Sequence, residues 1–285
     1  DPKRVVYAEG EDPRILRAVQ IAVDDGLAMP ILIGRTAVIE ERVKELGLRV
    51  KIGSEVTIVD PQDESNTDAL AKIYHEMNVR SGVTPNHAQE VVRNNPTVLG
   101  AMMVKQGQAD ALICGTHGQY EKDLIDLTQI IGKAEGVSDV SALSLVVVPS
   151  GSYFLCDTHV SPDPTAAEIA GMVRMAAEEV KRFGLEPKVA LLSHSNFGTR
   201  NSPSAVKMRE AVALLHASDP DLEVEGEMHA DAAISESIRA RVFPNSKLKG
   251  SANLLVAPSL DAANIAFNLL KTIGDGLSVG PMLMG

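Results

Sequence analysis

The chain has 285 residues and a formal charge of −11, with 38 acidic against 27 basic side chains; affinity for a polyanion needs clustered Lys and Arg, so a nucleic-acid surface is excluded. No apolar run approaches the roughly 20 residues of a membrane span and no secretory leader is legible, so the expectation is a cytoplasmic protein without membrane partners. The length suits about two domains, and a composition without Trp but rich in Ala, Val, Ile and Leu suits helices packed on parallel strands.

In chain order, Asp1-Pro2-Lys3-Arg4 runs almost directly into a strand at 5–7 with no initiator Met, which predicts a fragment of a longer polypeptide. Ile15, Leu16, Val19 and Val23 have helical spacing, and Gly26 ends that run. A strand at 30–33, a helix with Ile39, Val43 and Leu46 inward, and a strand at 56–59 continue a β-α-β alternation. Leu70, Ile73, Tyr74 and Met77 mark another helix, followed by helices at 85–94 and 96–107. A strand expected to be buried, 110–114, then ends in the polar loop Gly115-Thr116-His117-Gly118-Gln119-Tyr120 before a helix carrying Leu124, Leu127 and Ile131. Cys114 and Cys156 each lie in an apolar run without CxxC spacing or a His cluster, so both are expected reduced and buried, with no metal site.

Two strand-like runs, 144–148 and 153–156, are joined by Pro149-Ser150-Gly151-Ser152, which reads as a hairpin and breaks the alternation. The domain boundary is placed just before it, giving 1–140 and 141–285. Thr165 with Glu168 is a capping-box signature for a long helix with Ile169, Met172, Val173, Ala176, Val180 and Phe183 on one face. The apolar run 189–192 then stops at the polar loop 193–201. Ser202 as N-cap and Pro203 at the first helical position open a helix with Met208, Ala211, Val212 and Leu215 inward. Such a strand-loop-helix junction suits an anion such as phosphate, and equally suits an ordinary Ser- and Asn-rich turn. The last elements read are a buried strand at 253–257 and a helix marked by Ala262, Ile265, Ala266 and Leu269.

His117, His194 and His229 are open both to an acid–base reading and to a structural one, and Glu225, Glu227 and Asp231 to paired carboxylates or to strand-end and cap residues. Dinucleotide, P-loop, zinc-hydrolase and α/β-hydrolase signatures are absent.

Several spaced motifs carry a resemblance across the whole chain: Asp1-Pro2-Lys3-Arg4 with Glu11-Asp12, Gly107-Gln108-Ala109-Asp110-Ala111, Gln129-Ile130-Ile131-Gly132, Glu225-Gly226-Glu227-Met228-His229-Ala230-Asp231-Ala232-Ala233, and Ala252-Asn253 through Gly280-Pro281. They resemble the phosphate acetyltransferase and butyryltransferase family. The wording Leu192-Ser193-His194-Ser195-Asn196-Phe197-Gly198 and Thr116-His117-Gly118-Gln119-Tyr120 is similar to the phosphotransacetylase-like C-terminal domain of bacterial NADP-dependent malic enzymes. The resemblance implies an α/β, two-lobed fold with parallel sheets flanked by helices, like isocitrate and isopropylmalate dehydrogenases, and a homo-oligomer formed through the second lobe, with the hairpin as candidate contact.

The departures from the acetyltransferase pattern are specific. Ile125 and Thr272 stand where that pattern has phosphate-neutralising arginines, and Ser195-Asn196-Phe197-Gly198-Thr199 stands where it reads Ser-Thr-Lys-Gly-Ser, so the lysine is gone. Arg80 matches the family arginine that remains, and the catalytic Asn-Asp-Leu-Ser-Arg-Gly segment would follow Gly285. The resemblance therefore implies no catalytic residue here, and a former active-site cleft between the lobes that serves as an acetyl-CoA effector site with Arg80, Ser193, Ser195, Asn196 and Gly198. NADP and a divalent metal, with malate decarboxylation to pyruvate and carbon dioxide, would belong to an N-terminal part. An active phosphate acetyltransferase, and a purely structural assembly module, are the competing readings.

Overall fold

The computed structural model describes residues 2–285, which fall into two compact units divided between Gly132 and Lys133. The first unit contains β1 (Lys3–Tyr7), α1 (Pro13–Asp24), β2 (Ala28–Ile33), α2 (Thr36–Glu45), β3 (Thr57–Val59), α3 (Glu64–Asn78), α4 (Pro85–Asn94), α5 (Pro96–Lys105), β4 (Ala111–Ile113) and α6 (Tyr120–Ile130). Its sheet is parallel, in the order β3-β2-β1-β4. Succession runs from β1 outward to β3 and then returns to the far side of β1, so the topological switch lies between β1 and β4. Leu16, Val19, Ile39 and Val43 of α1 and α2 cover one face, while Leu70, Val92, Leu99, Met102 and Ile130 of α3 to α6 cover the other.

The second unit contains β5 (Ser141–Val148), β6 (Gly151–Cys156), α7 (Ala166–Arg182), β7 (Lys188–Leu192), α8 (Pro203–Ser218), β8 (Glu223–Met228), α9 (Ala230–Ile234), α10 (Glu236–Val242), β9 (Leu254–Val256), α11 (Leu260–Ile273) and β10 (Leu277–Met284). Its sheet is mixed, in the order β10-β5-β6-β9-β7-β8. The pairs β10–β5 and β5–β6 are antiparallel and the rest parallel. The capping box forms as expected, with Thr165 Oγ1 accepting from the Glu168 amide and Glu168 Oε2 from the Thr165 amide. Met208, Ala211, Val212 and Leu215 of α8 are buried with Ile169, Val173 and Val180 of α7 on one face of this sheet.

Three expectations are corrected. The strand at 110–114 is an edge strand, paired only with β1, so Ile113 is 46% exposed and Cys114 is half-buried. Phe183 lies beyond the end of α7 and is exposed, though its ring meets Phe154 edge-on. The hairpin is no free surface, because β10 pairs with the other edge of β5 and β9 with the other edge of β6. On α11 the buried residues are Ala263 and Phe267, while Ile265 and Leu269 are 59% and 53% exposed. That helix carries apolar residues on two sides, so spacing alone could not choose the inward one. β10, a strand the sequence reading lacks, completes the sheet.

Arg239 of α10 is fully enclosed. Its guanidinium donates to the carbonyls of Ala232 (2.8 Å), Ala233 (3.3 Å), Leu248 (3.0 Å) and Gly250 (2.6 Å), joining α9 to the segment that leads into β9. A buried carbonyl left unpaired costs about 1–3 kcal/mol, so one side chain here satisfies several such groups at once, although the Ala233 carbonyl also accepts from the Ala252 amide (3.0 Å). Arg239→Leu should lower the unfolding free energy by at least ~3 kcal/mol in urea titration, and Arg239→Lys by less, since an ammonium keeps three donors.

Candidate functional site

The 193–201 loop is built by what precedes and follows it. β7 is buried up to Leu191, the Ser193 amide donates to the Met228 carbonyl (2.8 Å), and Ser202 caps α8 by accepting from the Ala205 amide (3.3 Å). Beside it, β8 pairs with β7 in a register that skips one residue: Leu191 faces Gly226 and Leu192 faces Met228, leaving Glu227 as a bulge. A bulge re-aims a side chain, and here it turns Glu227 beneath the loop. Gly226 is required there, since at φ +152° a β-carbon would lie 2.7 Å from the Leu191 carbonyl oxygen.

Glu227 is completely buried, which is costly for a carboxylate unless it is well supplied with donors. Its Oε1 accepts from the Ser195 hydroxyl and from the Gly198 amide, both at 2.8 Å, and its backbone carbonyl accepts from the Phe197 amide at 2.8 Å. Its Oε2 has no hydrogen bond, but Arg209 Nε approaches it to 3.6 Å. Arg209 also donates to the Arg200 carbonyl (3.1 Å) and Asn201 Oδ1 (3.3 Å), so one guanidinium faces the buried charge and ties down the end of the loop. Gly198 has φ +89°, and a β-carbon would come within 3.2 Å of that guanidinium.

The remaining loop groups are engaged internally. Ser195 is buried and its hydroxyl accepts from the Arg200 amide (3.0 Å), while its own amide donates to Ser193 Oγ (3.1 Å). Asn196 Oδ1 accepts from the His229 amide (2.8 Å), and Thr199 Oγ1 accepts from the Asn196 amide (3.0 Å). The hydroxyls and amides that the sequence offered to an anion thus stitch the loop together. What the loop presents outward is His194, Gly198, Thr199, Arg200 and Asn201. Phe197, at φ +47°, stacks its ring on Phe243 with centroids 4.4 Å apart.

The histidines and carboxylates are also held. His229 Nε2 lies 2.9 Å from the His194 carbonyl, which it can meet only as a donor, and His194 Nε2 lies 3.2 Å from Ser202 Oγ. Glu225 is buried and accepts from the Gly226 amide (3.2 Å) and the Lys247 amide (3.0 Å), whereas Asp231 is exposed and accepts from the Ala232 amide (2.7 Å). Glu227 and Glu225 therefore do not act as a pair. In the first unit, His117 Nε2 lies 2.7 Å from Asp12 Oδ2, and Arg14, bonded to the same carboxyl, holds Asp12 well below the ordinary carboxylate range. Burial raises the Cys114 thiol to about 11, so it is a protonated thiol at neutral pH. Arg80 is exposed on the short turn Val79–Ser81 after α3, and Ile125 is 57% exposed on α6. Among the described residues no cluster of three or more His, Cys, Asp or Glu could hold a metal, and no helix is long and apolar enough to cross a membrane.

Sequence reasoning noted Glu227 without its role, and missed Arg209, Phe243 and Gly226. The Glu-Gly-Glu wording was the available signal, since a glycine between two acids in a strand marks a bulge or a close backbone approach.

The sequence profile of the family described as phosphate acetyl/butaryl transferase matches residues 1–285. The chain is 52% identical over 282 residues to an NAD-dependent malic enzyme of Rhizobium meliloti and 48% identical over 285 residues to an NADP-dependent malic enzyme of Escherichia coli. These alignments cover 99% and 100% of this chain but only 37% and 38% of those proteins. A phosphotransacetylase structure from Streptococcus pyogenes superimposes with a TM-score of 0.89 at 31% identity, covering 100% of this chain and 85% of that one.

Glu227→Ala should free the loop: amide hydrogen exchange at Gly198 and Arg200 should accelerate at least tenfold, with a stability loss of about 1–3 kcal/mol. Glu227→Gln, which keeps the shape and one acceptor, should have the smaller effect. Unchanged exchange in Glu227→Ala would mean that the loop is held by its internal bonds alone.

Proposed function

The chain belongs to the phosphate acetyl/butaryl transferase family, and we propose that within it this chain is a non-catalytic regulatory and assembly part of a longer malic enzyme, with acetyl-CoA as its inhibitory effector. The observation that carries this reading is the loss of charge at the phosphate-handling positions. Phe197 stands where the acetyltransferase pattern has a lysine, and its ring is stacked on Phe243; Ile125 and Thr272, both exposed, stand where it has arginines. Removing a single donor from a developing charge typically costs about 10²–10³ in rate, so three absent cations leave little capacity for acyl transfer to phosphate. The opposing reading, an active phosphate acetyltransferase, draws on the likeness of the whole of this chain to a phosphotransacetylase structure.

The effector role draws on what remains. The 193–201 loop is rigidly supported from beneath and presents Arg200, and Arg80 is an exposed cation of the first unit. On an acidic chain such local cations are what the phosphates of a coenzyme would require. Ser193, Ser195, Asn196 and Gly198 would then shape the loop more than touch the ligand. Malate oxidation, its NAD or NADP preference and a divalent metal would reside in the remainder of the longer protein. An effector acts only through different affinity for two states, and a coupling of about 1–3 kcal/mol corresponds to roughly 5- to 150-fold in malate affinity.

Calorimetric titration of this chain with acetyl-CoA should show binding that weakens at least tenfold in Arg200→Ala, while exchange between acetyl-CoA and phosphate stays undetectable. In the longer protein, inhibition of malate decarboxylation by acetyl-CoA should disappear when this part is deleted. Absence of binding would sink the effector role, and exchange near one turnover per second, an ordinary enzymatic rate, would establish the opposing reading.

Assembly has its own surface. Ile265, Leu269 and Ile273 lie one turn apart on the outer side of α11, Ile273 81% exposed, and Leu277 of β10 follows, also exposed. Contiguous apolar surface of this kind is a feature of subunit contacts, and an isologous pair would bury it symmetrically. Sedimentation at micromolar concentration should show a dimer or larger assembly, shifted toward monomer by Leu269→Asp; a monomeric wild-type chain would refute this surface.

A further inference from the structure

The helices of the second unit cover the faces of its sheet unequally. By register, Leu145 of β5 stands between Phe154 of β6 and Val279 of β10, and Val147 stands between Ser152 and Leu277, so these side chains share one face. It is the face on which Leu143, Leu145 and Phe154 are buried with α7 and α8, whereas Val146, Val148 and Leu155 point the other way and meet Phe267 of α11. On the first face α8 lies over β7 and β8, and α7 over β6 and β9. The two remaining strands, β5 and β10, show exposed apolar residues there: Val147 (38%), Val279 (40%) and, at the rim, Leu277 (70%). Phe183, exposed at the end of α7 and edge-on to Phe154, borders the same strip.

The dimensions of the strip fit one kind of occupant. A helix is about 10 Å across and neighbouring strands lie about 4.8 Å apart, so one helix covers about two strands. α7 and α8 follow that proportion, and the width of β5 and β10 is that of one more helix. An added strand fits less well. Pro281 has no amide hydrogen to give at the free edge of β10, and the register of that strand shifts between Val279 and Met282, both of which discourage pairing along the edge. Leu277–Met284 nonetheless contains no charged residue, so the face itself asks for an apolar cover.

We propose that this face receives one amphipathic α-helix from the longer polypeptide, packed beside α7 with its apolar stripe on Val147, Val279 and Phe183. The inference rests on the reading of this chain as part of a longer protein, and is independent of the acetyl-CoA role and of the loss of catalysis. The lengths of the relatives favour such a helix: the phosphotransacetylase that superimposes on the whole of this chain extends beyond the part covered, and so do the malic enzymes. A second copy answers less well. Seating its exposed α11 stripe here would join unlike surfaces, a head-to-tail contact that propagates unless it closes a ring.

Hydroxyl-radical footprinting of this chain and of the native longer protein tests the proposal. Phe183, Val279 and Leu277 should be labelled at least fivefold more slowly in the longer protein, and that protection should not change with protein concentration. Val279→Lys, at an exposed position of an outer strand, should leave the urea midpoint of the chain unchanged and restore labelling of Phe183 in the longer protein. A photo-cross-linker placed at position 279 should capture a segment of the same polypeptide with apolar residues at helical spacing. Equal labelling in the two proteins would overturn the proposal, as would capture of a segment without that spacing, or protection that appears in the chain alone as its concentration rises, which assigns the face to a second copy. A native protein of 30.3 kDa would instead remove the longer polypeptide, and with it the reading on which the helix rests.

Discussion

The second unit depends on a carboxylate that the solvent never reaches. Glu227 enters the interior because β8 carries one residue too many for its pairing with β7, and the bulge turns its side chain beneath the following loop instead of outward. Once inside, the group has to be supplied with donors. The Ser195 hydroxyl and the Gly198 amide supply them to Oε1, and the Arg209 guanidinium approaches Oε2 as a counter-charge. The shape of the 193–201 loop follows from that demand, and Gly226 and Gly198 are the two positions where a β-carbon would obstruct it.

A loop organised in this way is a rigid platform, and its chemistry depends on which side chains stand at its crest. In a phosphate-transferring enzyme the crest has to carry charge that faces the transferred group. Here Phe197 is half-buried and stacked on Phe243, while Arg200 stands among the exposed residues of the loop. A surface supported in this way keeps its shape whichever side chains stand on it, because the bonds that hold it come from Glu227 beneath.

The two units use opposite solutions to the same packing problem. The first is a parallel sheet with helices on both faces, which leaves its carboxyl edge open at the switch between β1 and β4. The second inserts a hairpin and pairs both of its edges, with β10 on one side and β9 on the other, so β10 becomes the sheet's outer strand while α11 retains outward apolar residues.

Much of this was legible in the chain. Periodicity placed β7, α7 and α8 with their inward residues, because long helices with a single apolar stripe and a cap at Thr165 or Ser202 admit one arrangement. Motif wording identified the family. Other features were decided only in three dimensions. The outward side of α11 depended on which of two apolar stripes meets the sheet, and the edge position of β4 on strand order. The enclosure of Arg239 depended on four carbonyls from separated segments, and the burial of Glu227 on a one-residue mismatch between two strands. Each concerns a partner distant in sequence, and local pattern carries no information about which distant group will supply the missing hydrogen bond.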